Sequence, residues 1–307
     1  MPEFSSYVMV RFSEIAIKGA KTRRWLTSRL VSHIDFILKA YKIDDFEIIK
    51  EYSRIFVKSS NSIMVEELIT SLVPGAVSTS VVVECSSELE EIKTCVRELF
   101  FNKLVEESSF SVKVKRTGSH PFTSVELGAM IGEFILENKE EKNLKVDLTN
   151  PDFTLNIEVR KEKAYLFDKT MKGLGGLPVG SQGKVLVLVS GDKEDISNIL
   201  QLYKRGAVTL IYSIQNKLDK NFVESITHIL NLQPQLKLKK IYFANHQFDS
   251  KKIVEYYNHN KCLGIGLSNA AFTKYEKEIP VSIPLFVPHL VSDVEEEEID
   301  MILATTI

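Results

Sequence analysis

The stretch Val185–Asp195, VLVLVSGDKED, decides how the chain is read. Five apolar residues, Val185 to Val189, run into Ser190-Gly191 and then into a helix-like segment. A continuous run of branched apolar residues of this kind suits a strand buried on both faces, as in a parallel sheet. The pattern then alternates. Ile196–Tyr203 reads as helix, Val208–Tyr212 as strand and Phe222–Leu230 as helix. Ile241–Ala244, Ile253–Tyr257 and Cys262–Leu267 continue it as strand, helix and strand. Such alternation predicts an α/β, Rossmann-like parallel sheet, doubly wound. Ligands of that architecture bind at the carboxyl ends of the strands, where Ser190-Gly191 falls. A phosphate-binding turn continues with glycine and a hydroxyl. Here Asp192, Lys193, Glu194 and Asp195 follow instead.

Upstream, "KGLGGLPVGSQGK" from Lys172 to Lys184 holds five glycines and a proline, and reads as a linker. Before it the texture is α+β. The first 85 residues read strand, helix, strand, strand, helix, strand, a ferredoxin-like split unit whose domain is placed at residues 1–77. Its long helix repeats Leu26, Leu30, Ile34, Ile37, Leu38 and Tyr41 at helical spacing, and Trp25 is expected to start that buried face. Residues 78–171 form a second module: a helix over 89–104, a strand Phe110–Val114, a helix 124–137, and strands at Val146–Leu148, Phe153–Val159 and Ala164–Asp168. Residues 172–307 make the third domain.

The 307 residues are 44% hydrophobic and 26% charged, an ordinary soluble composition. No apolar run approaches the roughly 18 residues that span a bilayer, and the first residues lack the build of a signal peptide. Neither membrane nor DNA is expected as a partner. Three cysteines without metal-ligand spacing point to a reducing cytoplasm and no structural zinc. A net charge of −2 gives no global footprint for nucleic acid, but the charge is uneven. Residues 1–60 carry 11 basic against 7 acidic side chains, and residues 61–107 carry 3 against 9. A local positive patch suffices to bind RNA, because only charges facing the phosphates matter. The histidines other than His120 (His33, His228, His246, His259, His289) have no metal-ligand spacing and read as structural or surface residues. "SDVEEEEIDMIL" reads as a helix capped by Ser292 or Asp293.

Three stretches carry a resemblance. "RFSEIAIKGAKTRRWL" resembles the opening of the tRNA 4-thiouridine synthetases, the tRNA sulfurtransferases also linked to thiamine biosynthesis. "FSVKVKRTGSHPFTSVELGAMIGEFI", with "VDLTNPDFTLNIEVRKEKAYLF", resembles a THUMP domain, a tRNA-binding module. "GLGGLPVGSQGKVLVLVSG", with "KRGAVTLIY", resembles that family's entry into its adenylating pyrophosphatase domain. The resemblance implies a tRNA substrate met at its acceptor end, ATP with Mg²⁺, and sulfur from a cysteine desulfurase or persulfide carrier. It also implies a nucleotide site at Leu188, Val189, Ser190, Gly191 and Gly266. The family's loop reads Ser-Gly-Gly-x-Asp-Ser. Ser190 and Gly191 match it, while Asp192, Glu194 and Asp195 depart from it. No cysteine matches the family's sulfur-accepting thiol.

The departures have physical weight. Phosphate loops work through convergent backbone N–H groups and a helix N-terminus. Asp195 puts an acceptor-only group where the pattern has a hydroxyl donor, and Asp192 adds a Cβ and a charge. Two like charges about 4 Å apart repel by ~1 kcal/mol in water and by ~4 kcal/mol at an effective dielectric near 20. The same residues have a structural reading. Asp192 caps a helix, Glu194 and Asp195 complement its dipole, and Gly206 ends it. On that reading the carboxylates take the anion site for themselves.

Candidate RNA contacts are Lys18, Lys21, Arg23 and Arg24 around the turn entering the first long helix. Lys113 and Lys115 share one face of a strand, followed by Arg116 and by His120 near the tip of a turn. The resemblance places this second group at the THUMP edge facing the tRNA acceptor end. Arg160, Lys161 and Lys163 form a hairpin turn that solvation accounts for, and Lys184 starts a strand. The expectation is a tRNA-binding protein impaired in ATP-dependent uridine adenylation, with no catalytic residue or metal ligand assigned. An active ATP-dependent tRNA sulfurtransferase making 4-thiouridine is the alternative. A homodimeric assembly protein is the third class.

Overall fold

The computed structural model describes residues 5–12, 14–139, 142–236, 241–243, 248–287, 300 and 302–305. Two compact units are formed: Met1–Met9 with Phe56–Glu66 and Ser80–Met171, and Val10–Ile55 with Glu67–Thr79 and Lys172–Ile307.

The N-terminal elements are β1 (Ser5–Arg11), α1 (Ala20–Ala40), β2 (Glu47–Lys50), β3 (Arg54–Lys58), α2 (Ser62–Leu72) and β4 (Ser78–Ser86). Strand order β2-β3-β1-β4 gives the expected split ferredoxin-like arrangement. Helix α1 buries Leu26, Leu30, Ile34, Ile37 and Leu38 at their predicted spacing. Trp25 departs from the expectation: it is 44% exposed. It precedes Leu26 by one residue, about 100° around the helix, and so falls off the buried stripe.

The middle module contains α3 (Leu89–Leu99), β5 (Ser109–Thr117), α4 (Ser124–Asn138), β6 (Lys145–Val146), β7 (Phe153–Arg160), β8 (Lys163–Phe167) and β9 (Met171–Lys172). Its ladder runs β4-β8-β7-β5-β6, with β5 parallel to β7 and β8 antiparallel to β7 and β4. Helix α3 stops five residues short of the predicted Leu104, and a 3₁₀ turn, Phe101–Lys103, carries the chain on. Helix α4 starts on a capping box: Glu126 N–H donates to Thr123 Oγ1, and Thr123 N–H donates to Glu126 Oε2. Ile92, Val96, Phe110, Leu127, Ile131 and Leu155 share one core.

The C-terminal elements are β10 (Lys184–Val189), α5 (Lys193–Lys204), β11 (Val208–Ser213), α6 (Lys220–Asn231), β12 (Ile241–Phe243), α7 (Ser250–His259), β13 (Gly264–Gly266), α8 (Asn269–Tyr275) and β14 (Leu285–Phe286). The strands are parallel in the order β12-β11-β10-β13-β14. The order reverses direction between β10 and β13, which makes the carboxyl ends of those two strands the switch point. Val185 to Val189 are buried, as a strand covered by helices on both faces requires. Helix α5 ends at Gly206, φ +85°. The Gly206 N–H donates to Tyr203 O and the Ala207 N–H to Leu202 O, a Schellman motif. The predicted end of β12 at Ala244, His246, His289 and the cap at Ser292 or Asp293 lie outside the described residues.

Helix α1 and the part of α2 from Glu67 onward fall in the same unit as the C-terminal sheet. Tyr203 Oη donates to Leu72 O at 2.7 Å, and His33 Nε2 lies 2.9 Å from Leu232 O. His33 is buried, and desolvation lowers its pKa to about 4.

Candidate functional site

At the end of β10 the backbone turns through Ser190 and Gly191, where φ is +102°. Glycine adopts that conformation at no steric cost. The turn aims three consecutive N–H groups at one point, and the Asp195 carboxylate sits there. Its Oδ2 accepts from Ser190 N at 2.7 Å, Gly191 N at 3.0 Å and Asp192 N at 3.3 Å. Ser190 Oγ also reaches Asp195 Oδ2, at 3.1 Å, and donates to Asp192 Oδ2 at 2.7 Å. Asp192 is the N-cap of α5. Asp195 is fully buried. Burial raises its pKa above the ordinary aspartate value, while hydrogen bonds from Ser190, Gly191 and Ser268 pull it back down.

Across the switch point, Ser268 caps α8 and Asn269 N–H donates to Glu194 Oε1 at 2.7 Å. The two chain segments meeting there are therefore each bonded to a carboxylate from the first turn of α5. Leu188 and Val189 are fully buried in the sheet, paired in register with Tyr212 and Ser213. A Cβ on Gly266 would stand 2.8 Å from Leu202 Cδ1, so this glycine serves close packing of β13 against α5. Lys184 lies at the opposite end of β10 from Ser190, and its Nζ reaches toward Asn260 O at 3.5 Å. A strand of that length is about 20 Å long, which removes Lys184 from the loop. A cavity of about 730 Å³, lined by Val185, Leu202, Arg205 and Leu263 among others, is also at the Lys184 end. Among the described residues, no three His, Cys, Asp or Glu side chains converge as a metal-holding group.

The basic residues fall into two sets. Lys18, Lys21 and Arg24 are exposed, on the turn before α1 and on its first turns. Lys21 and Arg24 line a recess of about 610 Å³ with Trp25, Ser28 and Lys50. The Arg23 guanidinium stacks over the Tyr52 ring, 4.4 Å from its centroid. Lys50, Trp25 and Tyr52 were not among the residues expected here. Lys113 and Lys115 are exposed on one face of β5, while Val112 and Val114 turn partly inward. Arg116 Nη1 donates to Gly118 O at 3.0 Å. The His120 ring stacks on Phe122, with centroids 5.7 Å apart. Arg160 departs from the expected solvated turn. It is 9% exposed and pairs at 2.8 Å with Glu158, which is also buried. Glu158 and Arg160, two residues apart on β7, share one face of the strand.

Residues 7–80 match the ThiI ferredoxin-like domain and residues 86–168 match the THUMP domain. The chain thus carries a ThiI ferredoxin-like domain followed by a THUMP domain, and it is similar to proteins described as probable tRNA sulfurtransferases. A probable tRNA sulfurtransferase of Methanosarcina acetivorans is 33% identical over 208 residues, 67% of this chain and 50% of that protein. One from Methanocaldococcus jannaschii is 35% identical over 233 residues, 73% of this chain and 60% of that protein. The chain thus spans between half and two thirds of these relatives' length. Among solved structures, PH1313 from Pyrococcus horikoshii Ot3 is 26% identical with a TM-score of 0.78, covering 95% of this chain and 97% of that one. A 4-thiouridine synthetase, solved as an RNA complex with bound ATP, is 20% identical with a TM-score of 0.69, covering 98% of this chain and 84% of that one. The family's fold therefore extends through the C-terminal sheet.

Proposed function

We propose that this chain binds tRNA and does not adenylate it. The observation that carries the reading is the Asp195 carboxylate among the N–H groups of Ser190, Gly191 and Asp192. A triphosphate would need those donors, and a buried carboxylate already uses them. Bringing a polyanion there adds charge repulsion of several kcal/mol at an effective dielectric near 20. The residues present therefore do not fit the ATP and Mg²⁺ that the family implies. Asp192 accepts from Ser190 Oγ, and Glu194 accepts from Asn269 N–H.

Two of the three cysteines support the same reading. Cys262 is buried, and burial pushes its thiol up to about 11; Cys95 is buried, and its thiol is raised by the neighbouring Cys85 and by burial. Protonated thiols are poor nucleophiles, so neither suits sulfur carriage from a cysteine desulfurase. RNA binding rests on the family's THUMP domain and on the exposed Lys113, Lys115 and Arg116 beside the Gly118 turn.

The test is a paired measurement on the whole chain. Thermal unfolding with ATP and Mg²⁺ should show no shift, while tRNA should be retained at low salt and released as salt rises. Pyrophosphate release that depends on both ATP and tRNA would overturn the reading.

A further inference from the structure

The recess at the start of α1 has a composition that phosphate binding alone does not require. Its walls are Lys21, Arg24 and Lys50, a hydroxyl at Ser28 and the ring of Trp25. Trp25 is 44% exposed, and Tyr52, in the β2–β3 turn, is 75% exposed. Here each ring is already held by a guanidinium. Arg23 lies 4.4 Å from the centroid of Tyr52, and Arg29 lies 4.9 Å from that of Trp25. The Gly180 backbone, φ +79°, runs close beside the Arg29 Nη1. Arg29 backs one side of Trp25. A ring already in place loses little side-chain entropy when a flat partner arrives.

We propose that Trp25 is a stacking platform for an unpaired nucleobase, with Lys21, Arg24 and Lys50 on the adjoining phosphates. A preset aromatic face bordered by cations is the arrangement that binds single-stranded nucleic acid without reading its sequence. Unpaired ends, loops and bulges are the parts of an RNA whose bases are free to stack in this way. A duplex buries its base faces and offers only phosphates to the same recess. This inference rests on the tRNA-binding reading but concerns a different surface from the THUMP strand.

Trp25 is the only tryptophan in the chain, so its fluorescence reports the site directly. The whole chain is titrated with a short unpaired RNA oligomer, with a blunt RNA duplex and with polyglutamate. The expected result is saturable quenching by the oligomer and weaker quenching by the duplex. Trp25→Ala should weaken oligomer binding about 5- to 150-fold, the range for losing one stacked base. Its salt slope should stay unchanged, and Trp25→Phe should recover most of the affinity. Lys21→Gln with Arg24→Gln should instead flatten the salt slope. Oligomer binding with unmoved Trp25 emission, or undiminished binding by Trp25→Ala, overturns the platform and leaves the tRNA reading intact. Equal quenching by polyglutamate also overturns it, in favour of an acidic protein partner. Failure of every RNA to bind at low salt overturns both readings.

Discussion

The Asp195 carboxylate accepts the Ser190 backbone N–H at 2.7 Å, closing the end of β10 onto the first turn of α5. The chain thereby satisfies, from within, donors that a helix N-terminus otherwise presents to an anion. A carboxylate so placed is poorly solvated, and this has a measurable consequence. Burial raises the folded-state pKa of Asp195 above its ordinary 3.8. For an acid shifted upward, the favourable contribution is complete below the unfolded pKa and is lost as pH rises through the folded one. Asp195→Asn keeps an acceptor oxygen and does not titrate. Urea midpoints measured from acid to neutral pH should therefore show the natural chain losing stability relative to Asp195→Asn as pH rises. Relative gain with rising pH would contradict the burial argument.

The second expectation concerns recovery of an anion site. Asp192→Gly, Glu194→Asp and Asp195→Ser together restore the Ser-Gly-Gly-x-Asp-Ser pattern that Ser190 and Gly191 begin. The triple variant frees the three N–H donors and removes two of the three carboxylates. It should acquire a thermal shift with ATP and Mg²⁺ that the natural chain lacks. At a ligand concentration 100 times Kd, binding adds about 2.7 kcal/mol of stability. If the natural chain shifts as much as the variant, the acidic turn is no obstacle.

Much of this was legible from residues alone, and some was not. Val185–Val189 and the Gly206 stop announced β10 and α5, because period, length and a left-handed glycine are local properties. The acidic first turn was legible too, since capping is decided within four residues. Sequence did not show that Asp195 collects three N–H groups, a matter of turn geometry. It misplaced Trp25 and Arg160 for different reasons. Trp25 sits about 100° around the helix from the buried Leu26, so helical phase already argues against a core position. Arg160 looked like a turn residue until Glu158 was found beside it on a buried strand face.

The THUMP strand and the Arg160 pair should separate in one experiment. Lys113→Gln, Lys115→Gln and Arg116→Gln each remove a cation from an exposed surface. Each that meets a phosphate should reduce the log–log salt slope of tRNA binding by about 0.7–0.9. Stability should change little. Arg160→Gln should do the reverse, costing stability by removing the guanidinium paired with the buried Glu158 carboxylate. Its salt slope should remain that of the natural chain. A loss of slope on Arg160→Gln, with stability intact, would place Arg160 on the RNA instead.

His33 supplies a pH test of the docking of α1 onto the C-terminal sheet. Its Nε2 lies 2.9 Å from Leu232 O and 3.4 Å from Tyr203 Oη, and burial lowers its pKa from 6.5 to about 4. A histidine held neutral in the folded state contributes stability that is fully present above the unfolded pKa. That contribution is lost as pH falls through 6.5 toward 4, because the unfolded chain takes up the proton first. The shift corresponds to about 3 kcal/mol across the window. Chemical unfolding between pH 7 and pH 4 should therefore show a decline that His33→Gln largely removes. At pH 7 the variant should be less stable, since the contacts to Leu232 and Tyr203 are disturbed. Direct titration of the His33 ring by NMR decides the matter: a pKa near 6.5 in the folded chain would mean that α1 does not seal this site.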